Sequence, residues 1–432
     1  MKSKILIAIL ATILSISVYA NKNPNCVKEP HPGIDWSGCN KTGQDFSGEN
    51  LSGVNLSGAT LIGTVLRGAN LTAANLSNAK LMHADLSIAK LNGANFEGAS
   101  LADAEVEYAE LNGANFKGAD LSATILSDAQ LENADFTDAQ LYLTIFNASN
   151  LVGTNLGKAG RIKNVKLMET DLSKVDLTGV DLRQVWLQGA KLRGVNLSNR
   201  DLTKISLKGA DLTGADLSNS DLSGSFFENA EFKDASLNNV IIDGANFSHA
   251  KHLRISLAST TRKELTSAQF IGTKIESGNF SHISKFDNVN LKDADLRNVV
   301  FAIGYTNDFL TEFVNSNLEN ANFENNATFR TVGFENVNAK KSNFSGAMFG
   351  KIVFHKNVNI EGAKFEGIKP YGRELSITYD ANSIVINNAS FFGAKNIKGN
   401  GSRIFNTRDE VRFKQSNGNI CLTREHSGCL IE

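Results

Sequence analysis

An apolar residue returns at every fifth position from Phe46 to Leu156, 23 times in succession, and this period constrains the chain more than any other feature. Two positions before these centres sits a small residue, as in the unbroken alanine series at every fifth position from Ala69 to Ala119. A period of five fits neither the 3.6 of a helix nor the 2 of a strand, so an ordinary helix bundle or sheet is excluded. Self-similarity at a fixed period over this length is the mark of a solenoid.

A second period, of twenty, is visible inside the first. The residues just before a centre, taken every twentieth position, are Asn55, Asn75, Asn95, Asn115, Asp135 and Asn155. The centres that follow them are Leu56, Leu76, Phe96, Phe116, Phe136 and Leu156, which predicts three Phe rings in one stack, while the column from Leu51 to Leu151 stays aliphatic. Four five-residue units therefore make one turn. The spacing between Leu156 and Leu167 is 11, one residue too many for two units, which predicts a bulge at Gly160-Arg161 before 17 further centres run from Leu167 to Phe247. The polar run from Ser259 to Glu264 predicts a loop pushed out of the coil. Beyond it the repeat persists in degraded form, with Phe280, Phe286, Phe301, Phe313, Phe323, Phe334, Phe344, Phe349 and Phe354 in place of Leu.

The units, for example Ala69-Asn70-Leu71-Thr72-Ala73 and Ala119-Asp120-Leu121-Ser122-Ala123, resemble those of the pentapeptide repeat family. The resemblance spans roughly three quarters of the chain. It implies an all-β fold, a right-handed quadrilateral (four-sided) β-helix solenoid of pentapeptide repeats, in which the centre and the small residue point inward and the other three outward. The expected organisation is a signal peptide at 1–20, a disulfide-bearing cap at 21–43, the β-helix at 44–369 (regular over 44–250, degraded over 266–369) and a C-terminal cap at 370–432. In the last segment Val411–Lys414 and Ile420–Leu422 flank Asn417-Gly418, a favoured hairpin turn.

Residues 1–20 read as an export signal: Lys2 and Lys4 precede an apolar run from Ile5 to Tyr19, closed by Val18-Tyr19-Ala20. The expected location is periplasmic or secreted, in a bacterial chain with no transmembrane anchor once the signal is cleaved. Cysteine usage agrees, since Cys26 and Cys39 precede the regular repeat and Cys421 and Cys429 follow it, which predicts two local disulfides. Disulfide-closed ends would protect terminal coils whose backbone is otherwise open to stacking.

An interior filled by Leu, Phe and Ala leaves no concave site, so no catalytic residue, cofactor or metal is expected. His249 and His252 form a His-x-x-His pair, but the first is read as outward and the second as a centre, so they diverge. Cys421, His426 and Cys429 have the residue types of a zinc site, although in an exported chain a disulfide fits better. Two functions remain. The first is a non-enzymatic exported scaffold mediating protein–protein interaction or self-association. The alternative, implied by the family resemblance, is a mimic of DNA acting on DNA gyrase or topoisomerase, and residues 44–160 are acidic enough, with 13 acidic and 5 basic side chains. The export signal and the excess of 23 basic over 18 acidic residues in 251–432 argue against it and against nucleic acid as a partner. One group of outward positions is apolar: Ile88, Tyr108, Ile125, Tyr142, Leu143 and Ile145, bordered by Asp85, Glu105 and Glu107. The twenty-residue period puts them on one side of the coil, with Tyr108 and Ile125 central, as an interaction patch.

Overall fold

The computed structural model describes residues 24–257, 263–297, 299–301, 310–324 and 328–370, together with Ala389 and strands between Leu375 and Leu422. The expected export signal, residues 259–262 of the expected loop and Cys429, with its expected bridge to Cys421, lie outside the described residues; Glu264, at the end of that expected loop, instead begins strand Glu264–Thr266. The chain is all-β apart from short 3-10 turns and divides into two units, residues 1–191 and 192–432.

In the first unit the parallel bridges recur at twenty residues, as in Asn55↔Asn75, Asn75↔Asn95 and Asn95↔Asn115, so each turn of the solenoid takes four pentads. One pentad shows why these residue types are needed. The backbone N–H of Asn70 donates to Glu49 O in the turn before, and those of Leu71 and Ala73 donate to Lys90 O and Asn92 O in the turn after. Ala74 N–H closes a local bend onto Leu71 O, and Thr72 N–H is taken by the side-chain Oδ1 of Asn70. Every donor of the unit is thus satisfied. Asn or Asp before the centre is required as a short side-chain acceptor, and the fourth residue after the small one must take φ > 0, which Gly113 does at +67° without strain. The small residue and the centre face inward: Ala69, Leu71, Ala74 and Leu76 are buried.

The expected ring stack forms. Phe96 and Phe116 lie 4.9 Å apart and Phe116 and Phe136 lie 5.2 Å apart, with planes within 8° and 5° of parallel. The extra residue after Leu156 is absorbed where Gly160 and Arg161 both donate to Ala139 O, two residues opposing one. The bridges that span this point are offset by 21, as in Ile145↔Lys166, and those beyond it return to 20, as in Asp171↔Lys191.

The repeating turn begins earlier than the apolar pattern indicates. Asp35 already bridges to Asn55 and Asn40 to Thr60, inside the segment expected to be a cap, because Trp36 and Lys41 occupy the centre positions. The 3-10 turn Pro24–Val27 sits beside this first turn, held by the Cys26–Cys39 disulfide and by hydrogen bonds from Trp36 Nε1 to Asn25 O (2.9 Å) and Lys41 Nζ to Cys26 O (2.8 Å). The ammonium of Lys41 lies 3.8 Å above the Trp36 ring, and burial pushes its pKa down while Glu29 opposes the shift.

The second unit starts with the same twenty-residue turn, as in Asn196↔Asp216 and Asp216↔Ser236. One register reading needs correction here. His252 does not fill a centre: it bulges out at φ +52° with Nδ1 2.6 Å from Glu231 Oε1, and Leu253 turns inward in its place. Further on, some bridges are offset by 21, as in Asn317↔Asn338↔Asn359, and strands Leu310–Val314, Thr328–Glu335, Met348–Phe354 and Leu375–Tyr379 pair in parallel, the middle two at an offset of 20. All nine Phe residues named above are buried. Glu410–Lys414 pairs antiparallel with Ile420–Leu422.

Candidate interaction face

The sequence-derived patch falls on one side of the first unit, where one outward residue per turn is aligned by parallel bridges. In order these are Asp85, Glu105, Ile125, Ile145 and Lys166, each bridged to the next, and Lys166 pairs with Trp186. The strand segments that carry them are held by the inward residues on either side, such as Ala104 and Val106 around Glu105 and Thr144 and Phe146 around Ile145. Thr144 is polar but inward, and its hydroxyl donates to Leu121 O at 2.8 Å.

Two lines of bends flank this side. Before it run Tyr142 and Leu143, and after it run Ile88 and Tyr108, joined one turn to the next by Ile88 N–H donating to Glu107 O. Ile88, Tyr108 and Leu143 are 50%, 61% and 40% exposed, whereas Ile125, Ile145 and Tyr142 are half-buried. All three exposed residues sit at the bend position with φ of +61°, +58° and +60°. Gly68 holds this position one turn before Ile88. For a β-branched residue this conformation is strained, so the Ile88 side chain is kept out in solvent at an energetic cost.

The rim is charged. Asp85 is 3.7 Å from Arg67, and the Arg161 guanidinium stacks 4.6 Å from the Tyr142 ring centre. An apolar centre between an acidic end and a basic, aromatic end suits burial against another surface, and no convergent acid, base and nucleophile accompany it. Trp186, 50% exposed, and Lys166 extend the face beyond the sequence reading. They were legible in principle, because adding 21 instead of 20 across the Gly160 bulge carries the Ile125 and Ile145 column on to them.

The family model for pentapeptide repeats matches eight copies, over residues 50–87, 81–118, 114–159, 190–229 and 210–248. No curated protein matches the chain. Among solved structures, the chain is similar to HetL from the cyanobacterium Nostoc sp., a pentapeptide repeat protein involved in heterocyst differentiation regulation, at 24% identity over 66% of this chain and 94% of HetL, with a TM-score of 0.27. It is similar to a pentapeptide repeat protein of the Arabidopsis thaliana thylakoid lumen at 33% identity over 24% of this chain and 74% of that one, with a TM-score of 0.22. It is also similar to full-length QnrB1, a plasmid-mediated fluoroquinolone resistance protein, at 17% identity over 50% and 94% of the two chains, with a TM-score of 0.20. Eight matched copies, laid on a parallel solenoid whose turn is four pentads long, place the chain in the pentapeptide repeat family.

Proposed function

We propose that the chain is a non-enzymatic scaffold, exported to the periplasm or secreted, that works by protein–protein contact through the face centred on Ile125 and Ile145. The observation that carries this reading is the exposure of Ile88, Tyr108 and Leu143 at bend positions where a glycine would cost less. Export is supported by the signal-like residues 1–20 and by the Cys26–Cys39 disulfide, which suits an oxidising compartment. Among the described residues no helix is long and apolar enough to cross a membrane. The four pentads per turn suit a four-sided coil, which we read as right-handed, and the disulfide Cys26–Cys39 suits a short cap ahead of the turn that carries Trp36. Against a DNA mimic stand the outward cations Arg161, Lys163 and Lys166 at one end of the same face.

The test is in-cell crosslinking followed by capture of the full-length chain, comparing it with the double substitution Tyr108→Ser and Ile125→Asp. Both positions are outward, so the variant keeps its far-UV circular dichroism and loses its crosslinked species. Unchanged crosslinking by the folded double variant would remove the face from consideration.

A further inference from the structure

The charge order along this face narrows what it can dock against. Its outward residues read Asp85, Glu105, Ile125, Ile145, Lys166 and Trp186, one per turn. The midpoint of the apolar part lies between Ile125 and Ile145, with Glu105 one turn to one side of that pair and Lys166 one turn to the other. Neighbouring strands lie about 4.8 Å apart, so the two charges stand equally far from the midpoint, about 7 Å each. Among the described residues no ion pair uses either of them.

We propose that the face docks against the same face of a second copy of this chain, with the two stacks of strands running antiparallel; this rests on the reading of the face as an interaction site. A two-fold axis that lies in the interface, crosses the stacking direction and passes between Ile125 and Ile145 reverses the order of turns. It sets Glu105 of each copy opposite Lys166 of the other and stacks Ile125 on Ile145 twice. The same rotation keeps each line of bends against its own counterpart, so the projecting Leu143 meets the turn that carries Ala123, where a methyl leaves room. Tyr108 meets the turn that carries Glu169. A parallel arrangement would instead oppose Glu105 to Glu105 and Lys166 to Lys166. An unrelated partner requires no symmetry in this column, whereas a second copy requires the charges beside the apolar pair to mirror each other, as Glu105 and Lys166 do, while Asp85 faces Trp186.

The experiment is sedimentation equilibrium on the full chain at about 100 μM, a concentration that populates any dimer of micromolar dissociation constant. The unmodified chain dimerises. E105K alone and K166E alone each create two like-charge oppositions per dimer and raise the dissociation constant about a hundredfold or more. An equimolar mixture of the two variants dimerises again, because the lysine introduced at position 105 faces the glutamate introduced at position 166 and the two native charges face each other. Circular dichroism checks that both variants are folded. A monomeric unmodified chain, or two folded variants whose mixture stays monomeric, overturns the antiparallel dimer. If crosslinking to another protein still depends on Tyr108 and Ile125 in that case, self-docking has failed while the interaction face stands; if that crosslinking is also indifferent, both are overturned.

Discussion

The Leu-centred turns between Phe46 and Leu156 and the Phe-centred turns between Leu310 and Phe365 solve the same packing problem with side chains of different size. In the first region a turn takes twenty residues, outward residues meet through single bridges, and each strand segment is about as short as a strand can be. In the second the offset from turn to turn varies, 21 at Asn317↔Asn338 and 20 between the two longest strands, which extend to 8 and 7 residues. The interiors differ as well. Phe313, Phe334 and Phe354 form one stack at 5.7 and 5.5 Å, Phe329 and Phe349 a second at 5.2 Å, and Phe323, Phe344 and Phe365 a third at 4.5 and 4.9 Å. Rings of different stacks meet edge to face, as Phe334 and Phe344 do at 6.1 Å. Ring filling alone does not lengthen the turn, since Phe96, Phe116 and Phe136 stack at a spacing of twenty; what accompanies the longer strands is three ring stacks side by side, packed edge to face. A pentad period therefore sets the stacking direction in both regions, while the number of ring stacks side by side sets how the interior is filled.

The sharpest test of that account exchanges the fillers. Phe329 touches rings in all three stacks, since it lies 6.4 Å from Phe313 and 6.1 Å from Phe323 besides Phe349. Phe329→Ala should cost about 3–5 kcal/mol and Leu111→Ala about 2–5 kcal/mol, measured by equilibrium urea unfolding. A Leu111 variant clearly worse than the Phe329 variant would break the claim that the ring clusters carry the second region. The outward control Asn112→Ala should lose only the bond its Oδ1 accepts from Glu132 N, about 0.5–1.5 kcal/mol.

The next effect concerns where the first region departs from its own rule. Gly113 is a bend glycine at φ +67° with open space around its missing Cβ, so Gly113→Ala should cost about 1–2 kcal/mol from backbone strain alone. Gly157 has no positive φ, but a Cβ there would overlap Thr178 O, so the two backbones would have to separate. Gly157→Ala should cost more than Gly113→Ala in the same unfolding measurement. Equal losses would mean that the close approach beside the bulge is not needed.

What the sequence disclosed follows from the same contrast. The solenoid, its four-pentad turn, the Phe96–Phe136 stack and the Cys26–Cys39 pairing were all legible, because each rests on a strict period or on spacing that a period makes visible. The alignment of the outward apolar residues around Ile125 was legible for that reason too. Trp186 and Lys166 were missed because a single inserted residue at Gly160 shifts the count. Lys41 was missed because a lysine at a centre breaks the apolar pattern, and only its place over Trp36 and under Cys26 O shows it to be inward. His252 was misread for the opposite reason: the period was extended one unit beyond the point where Leu253 replaces it.

A smaller effect tests whether the exposed face is maintained against stability. Ile88→Gly removes strain at φ +61° and should raise stability by about 0.5–1 kcal/mol, while dimerisation or crosslinking weakens. Loss of stability on this change would show that Ile88 is structural packing, and the strained bend would then need another explanation.

The smallest expected effect is a pH dependence confined to carboxylates in the bridge columns. Asp135 stands in the Asn column of the first region, and its Oδ1 accepts the Thr137 hydroxyl at 2.6 Å, the Asn155 amide at 2.7 Å and the Thr137 backbone N–H at 2.9 Å. The Thr137 hydroxyl first, and then the Asn155 amide, hold its pKa below the ordinary 3.8, against an opposing contribution from burial. A depressed folded-state value means that the carboxylate stabilises the fold fully above the ordinary value, and that this contribution disappears as pH falls from there through the folded value. Asn317 and Asn338 form the equivalent column in the Phe-centred turns, where an amide hydrogen bond of 3.3 Å replaces the carboxylate and carries no such dependence. Asp135→Asn converts the first pattern into the second: its amide oxygen still accepts from Thr137, but the charge is gone. The variant should be slightly less stable than the unmodified chain at neutral pH, and the gap should close as pH is lowered past the ordinary carboxylate value, measured by urea unfolding at a series of pH values. A gap that stays constant across that range would show that the Asp135 carboxylate is bonded no more strongly in the folded chain than in water, and that Asp and Asn are equivalent in this column.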